Sequence, residues 1–233
     1  MNRVIVQLFT SLDDAMAAQR ALDALERTQT LQPTHWSSSK LLRDPYDREH
    51  INVWMKDPDR ASSTVLYVRR IHKPAYLATL KVSVPGVAND RANGPAWVEV
   101  KTEYQASVDE GRDFAILATR LAAHLEVECG VVDFRPDTAR VQMNPSGREH
   151  AALVGSMGLQ TLYARTFLST ATVERYGGLE ALMRAKLIAT RISEAVYQVD
   201  LLQDPWSHSE EALKQAQVRA LASLRAQGFS TGL

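Results

Sequence analysis

The sequence predicts an α+β fold, with antiparallel sheet strands packed against helices and two sheet-plus-helix halves in one globular unit. Three observations carry this. Residues 64–70, 76–84 and 97–104 alternate apolar and polar side chains, the signature of half-exposed antiparallel strands. Residues 109–126 and the last stretch before Gly228 instead repeat apolar residues at three- and four-residue steps. Strand-like and helix-like segments are partly segregated along the chain, as in α+β rather than α/β proteins.

The bounds are ordinary. At 233 residues, the chain can bury roughly 70 % of its unfolded surface and needs no disulfide or metal staple. It is 45 % hydrophobic and 23 % charged, and its 27 basic and 27 acidic side chains cancel. That balance argues against a nucleic-acid or anionic-membrane binder, which carries a basic excess. Cys129 is the single cysteine, so no intramolecular disulfide can form. The N-terminus lacks the long apolar core of a signal peptide, and no apolar run reaches membrane-spanning length. The expected location is the cytoplasm, with no membrane and no nucleic-acid partner.

In chain order, residues 3–9 (RVIVQLF) read as a strand. Ser11, three residues before Asp14, resembles the N-cap of a helix whose buried face carries Leu12, Ala15, Met16, Ala18, Leu22 and Leu25. Residues 32–48 form a long connection broken by Pro33, Pro45 and three serines; Trp36 and Tyr46 in it anchor the loop or contact a partner. Residues 51–55 (INVWM) are strand-like, and a Gly/Pro/Asn loop joins the segments at 76–84 and 97–104. The helix at 109–126 carries Phe114, Leu117, Leu121, His124 and Leu125 and ends at Cys129-Gly130, with Gly130 as cap. A short strand follows at 131–134. Residues 138–158 read as loop with a short helix at 149–154, 172–176 as a helical turn closed by Gly177-Gly178, and 179–185 as helix. Residues 186–191 are ambiguous, with a strand pairing with the alternating strand at 195–201 as one reading. Ser207 and Glu210 have capping-box spacing before a final helix with Leu213, Ala216, Ala220, Leu221 and Leu224 on its stripe. The chain divides at about residue 106, giving halves 1–106 and 107–233 of a single domain.

No stretch carries a specific catalytic or cofactor motif. His124, Glu126 and Glu128 would share a face on a strand and could hold a metal there, but on a helix end they scatter. Cys129 as a nucleophile would need a base in an electropositive cleft; beside two glutamates it reads as buried and inert. The glycines at 155, 158, 177 and 178 match neither phosphate-binding fingerprint. Ser156 is one residue out of step with a nucleophile elbow. No cofactor and no metal are expected. Arg69-Arg70, ahead of His72 and Lys73, suit an acidic partner or a solvated strand end. The partner-binding candidates are Trp36, Tyr46, Arg69, Arg70 and Trp206, because Trp, Tyr and Arg carry most interface energy.

Tyr163, Phe167, Leu168, Val173, Glu174, Tyr176, Gly177, Gly178 and Leu182, followed by Val196, Gln198, Leu201, Asp204 and Pro205, form a recognisable order. An aromatic-rich segment leads to Val-Glu-x-aromatic-Gly-Gly, then to a strand and a Leu-x-x-Asp-Pro turn. This resembles the small α+β immunity proteins of bacterial polymorphic-toxin and type VI secretion systems. The helix leading to Gly130 and Pro136 is also similar, so about half the chain is covered. The family's Tyr-Trp pair and Phe-Gly-Pro turn stand here as Tyr163-Ala164 and Phe167-Leu168. The resemblance implies a protein that binds and neutralises a cognate toxin by direct contact, without enzymatic activity. Two other readings stay open: a small hydrolase or transferase with a site assembled from distant residues, and a structural or adaptor module of a secretion apparatus.

Overall fold

The computed structural model describes residues 3–41, 43–57, 65–82, 95–135 and 162–229. Their strands join into a ten-stranded sheet in which every pairing is antiparallel. The strands are β1 (Arg3–Thr10), β2 (His35–Ser37), β3 (Asp44–Pro45), β4 (Val65–Arg70), β5 (Tyr76–Lys81), β6 (Ala96–Thr102), β7 (Cys129–Arg135), β8 (Arg165–Ser169), β9 (Ile188–Arg191) and β10 (Val196–Asp200). Their spatial order is β3-β2-β4-β5-β6-β1-β7-β8-β10-β9. The α+β expectation holds, and the two predicted halves each supply a contiguous block of one sheet. They meet where β1 pairs with β7, from Arg3 opposite Arg135 to Phe9 opposite Cys129.

Six α-helices flank it among the described residues: α1 (Asp14–Glu26), α2 (Arg48–Lys56), α3 (Val108–Leu125), α4 (Thr170–Arg175), α5 (Gly178–Arg184) and α6 (Glu210–Ala226). Strand alternation sorts the core into two layers. Val4, Val6 and Leu8 of β1, Leu66 and Val68 of β4, Ala78 and Leu80 of β5 and Val98 and Val100 of β6 pack with α1 and α3. On the opposite face, Leu168, Tyr197 and Val199 of β8 and β10 pack with Val173, Leu182, Ala216, Ala220, Leu221 and Leu224 of α4, α5 and α6. Phe167 and Val196 of the same two strands belong to the first layer. The strands β8 and β10 are therefore covered on both faces, which is why adjacent residues such as Phe167 and Leu168 are both buried.

Gly130 sits in β7 with an ideal Cβ only 2.5 Å from Leu8 Cδ2 and 3.0 Å from the Gln7 carbonyl. Glycine is needed there because β1 and Phe167 of β8 close over the backbone. The predicted role of Gly130 as the cap of α3 is thus corrected. Glu126 is the cap, in the left-handed conformation at φ 48°, and its carboxylate pairs with Arg20 at 2.8 Å.

Other local expectations are revised. Residues 51–55 are not a strand but the middle of α2. A strand would put Ile51, Val53 and Met55 on one face, yet Val53 is 68 % exposed while Ile51 is buried. Ile51, Trp54 and Met55, at the i, i+3, i+4 spacing of a helix, face the core instead. The Asp47 side chain accepts hydrogen bonds from Glu49 N and His50 N and starts this helix. The N-cap of α1 is Asp13, not Ser11, and that of α6 is Ser209, not Ser207. α3 starts with a reciprocal capping box between Ser107 and Glu110. Trp36 lies in a strand rather than a loop, and β8 is a strand in a segment to which the sequence assigned no element. Residues 188–191 resolve the ambiguity as a strand paired with β10. α6 ends in a Schellman motif: Gly228, at φ 88°, donates to the Arg225 carbonyl and Phe229 to that of Leu224. The predicted hairpin loop at 85–95 and the loop and short helix at 138–158 lie mostly or wholly outside the described residues.

Candidate interaction surface

Four of the five predicted contact residues come together at one corner of the sheet. There β2, β3 and the end of β4 meet α1 and α2. The main chain is laced first: Thr34 N donates to the Arg69 carbonyl at 2.7 Å and Tyr46 N to the Thr34 carbonyl at 2.9 Å. The indole of Trp36 meets Trp54 of α2 edge-on, with centroids 6.0 Å apart and planes at 61°. The Tyr46 hydroxyl donates to Glu26 of α1 at 2.6 Å. Burial and the Glu26 carboxylate push this phenol well above its usual range. Beside it, Arg48 donates to Asp23 at 2.7 Å and lies 3.2 Å from Glu26. Tyr46 and Arg48 tie the start of α2 to the end of α1.

Arg69 is only 6 % exposed. One of its terminal nitrogens donates to the Lys40 carbonyl, and the other is 3.6 Å from Glu103. Arg70 donates to the Gln32 carbonyl at 3.1 Å. The Nε atoms of both arginines and the indole nitrogen of Trp36 are buried without a hydrogen-bond partner. The corner is built from tethers whose remaining polar atoms face inward. Val53 of α2, Leu41 and Ile71 are exposed there beside charged residues such as Arg43, Asp44 and Glu49, and none of the three apolar residues was singled out in the sequence.

Trp206 is elsewhere. It lies in the turn after β10, buried, with the Arg165 guanidinium 5.3 Å from its ring centre. Arg165 belongs to a polar network between the sheet and α3. Its Nε and Nη2 hold both Asp200 oxygens at 2.8 and 2.9 Å. Its Nη1 donates to the Ala115 carbonyl at 3.2 Å and to the Thr119 hydroxyl at 3.0 Å. Gln198 donates to Asp200 at 2.9 Å and accepts from Thr119 at 2.8 Å. Every polar group in it is used by another, so it fastens β8 and β10 to α3.

The reactive-residue alternatives find no shared site. Cys129 aligns with Phe9 in the β1–β7 register, on the face opposite Leu8 and hence opposite α3. His124 sits on α3, its Nδ1 3.1 Å from the Arg120 carbonyl. The sheet therefore lies between thiol and imidazole. Burial, reinforced by Glu128, pushes the Cys129 thiol up to about 12. No group of three His, Cys, Asp or Glu side chains placed to hold a metal occurs among the described residues. Nor is any described helix long and apolar enough to cross a membrane.

No family model matches the chain, and no curated protein matches it. Among solved structures, one described as Pseudomonas aeruginosa T6SS protein PA0821 has a similar fold. The TM-score is 0.60 at 14 % sequence identity, over 96 % of this chain and 76 % of that one.

Proposed function

We propose that this chain is an immunity-type binding protein of a type VI secretion system, which neutralises a cognate toxin by direct protein–protein contact in the cytoplasm. The observation that carries the reading is the fold shared with a T6SS protein over 96 % of the chain. The order of residues from Tyr163 to Pro205 supports it independently. The site chemistry is compatible, because the polar network around Arg165 spends its donors on holding β8 and β10 to α3. A binding protein of this kind presents a rigid surface and performs no turnover.

The test is a pull-down with the tagged full-length chain in its cells of origin, washed at high salt, with quantification of what elutes. The expected result is one protein partner at near-equal amounts, burying on the order of 1,600 Å² in the complex and losing its toxicity when co-expressed. An eluate without a stoichiometric partner, or substrate turnover by the isolated chain, overturns the proposal.

A further inference from the structure

The two edges of the sheet differ. At one end, β3 is two residues long and closes on Pro45, a blunted edge of the kind that resists pairing with another chain. At the other end β9 has the sequence Ile188-Ala-Thr-Arg191, without proline, and pairs on one side with β10. Ladder alternation identifies its free groups. Ile192 N donates to the Val196 carbonyl at 3.0 Å. In an antiparallel ladder, Thr190 and Ile188 then also point their main-chain groups at β10, while Ala189 and Arg191 point theirs away. No described residue pairs with the outward N–H and C=O groups of Ala189 and Arg191.

The surroundings suit a particular occupant. The two faces of the edge differ: Ile188, 43 % exposed, lies on the face of Asp200, while Arg191 lies on the opposite face with Tyr197. Lys186 and Arg191 flank the strand, and neither has a carboxylate within ion-pair distance among the described residues. The Arg191 guanidinium is held over Tyr197 by the carbonyls of Ser193 and Glu194. Residues 184–191 carry three cations and no acid. A four-residue strand is about 14 Å long. A second copy would bring the same cations against Lys186 and Arg191, and like charges across a strand pair are destabilising, which favours an acidic segment over a second copy of this chain.

We propose that the outer edge of β9 is a docking site for an extended acidic segment of a partner protein. The segment adds an eleventh strand through the main-chain groups of Ala189 and Arg191. Its carboxylates face Lys186 and Arg191, and its apolar side chains, which project from the other face of the strand, lie against Ile188. Only the identification of that partner as a toxin rests on the function proposed above.

The probe is a blocked seven-residue peptide of alternating valine and glutamate, titrated into the ¹⁵N-labelled full-length chain, with a valine–lysine peptide as comparison. Expected are slowed exchange and shifted resonances at the amides of Ala189 and Arg191, while those of Ile188 and Thr190 keep the protection they already have. Ala189→Pro removes an outward N–H without touching the β10 ladder and should weaken binding about tenfold. Lys186→Glu, which leaves the strand intact, should lower affinity for the glutamate peptide and raise it for the lysine peptide. Absence of shifts up to millimolar peptide, equal binding of both peptides, or indifference to Lys186→Glu overturns the proposal even if Ala189→Pro fails to fold. A concentration-dependent dimer in sedimentation that Ala189→Pro abolishes would make the occupant a second copy and also overturn it. Toxin captured equally by wild type and Ala189→Pro removes the edge and leaves the function standing. Peptide bound at β9 with no partner ever captured does the reverse.

Discussion

Replacing Arg165 by methionine tests how β8 and β10 are fastened to α3. The Arg165 and Asp200 side chains are 12 % and 10 % exposed and joined by two hydrogen bonds. Arg165→Met keeps most of the volume but leaves Asp200 in a nearly dry site with Gln198 as its remaining side-chain donor among the described residues. Breaking one side of such a pair costs about 3–5 kcal/mol, because the surviving charge is stranded. The lost contacts to Ala115, Thr119 and the Trp206 ring act in the same direction. Against a total stability of about 5–15 kcal/mol, the variant should remain folded with its urea midpoint lowered by about 1–2 M. Arg165→Met/Asp200→Leu removes both charges and should cost less than the sum of the single changes by about 2 kcal/mol. Chemical denaturation followed by far-UV circular dichroism reads all four proteins. A loss below about 1 kcal/mol for Arg165→Met, or strict additivity in the double variant, would refute the view that a buried, mutually satisfied pair holds this interface.

Gly130→Ala places a methyl 2.5 Å from Leu8 Cδ2 and should destabilise by about 1–3 kcal/mol, partly relieved by Leu8→Val; thermal melts of the three variants check it. Burial works to raise the Glu110 carboxyl, but hydrogen bonds from Ser107 and Tyr104 and the nearby Lys73 outweigh it and hold the group below its ordinary value. The folded pKa being depressed, this contribution is present above the unfolded value of about 4.3 and is lost as pH falls through the folded one. Melting temperature measured from pH 6 to 3 should therefore fall less steeply for Glu110→Gln than for wild type. With its thiol pushed up to about 12, Cys129 should react with a disulfide reagent at pH 8 only as fast as the chain unfolds; rapid labelling of the folded protein contradicts its burial.

The corner and the edge mark how far the sequence could be read. Trp36 and Tyr46 were legible as anchors or contacts because aromatic side chains in a Pro- and Ser-rich connection need a reason to be there. Their anchoring partners, Trp54 and Glu26, lie 18 and 20 residues away and no local pattern points to them. Residues 51–55 misled because Ile, Val and Trp favour strands by propensity. Asp47 as cap and Ile51, Trp54 and Met55 at helical spacing were the signals that outweighed it. Trp206 was chosen for its chemistry, but burial beneath Arg165 depends on a strand 40 residues earlier.

The sequence alone determined the elements whose physics is local. Period two set β4, β5 and β6, the three- and four-residue stripes set α1, α3 and α6, and the α+β class followed from their order. Only the tertiary structure decided that the two halves share one sheet through β1 and β7, because strand pairing joins residues more than a hundred positions apart and leaves no local trace. The same holds for Gly130, required by Leu8 and Phe167 closing over it, and for the edge of β9, open among the described residues. An edge is defined by which strand has no neighbour, and that is a property of the assembled sheet rather than of any segment in it.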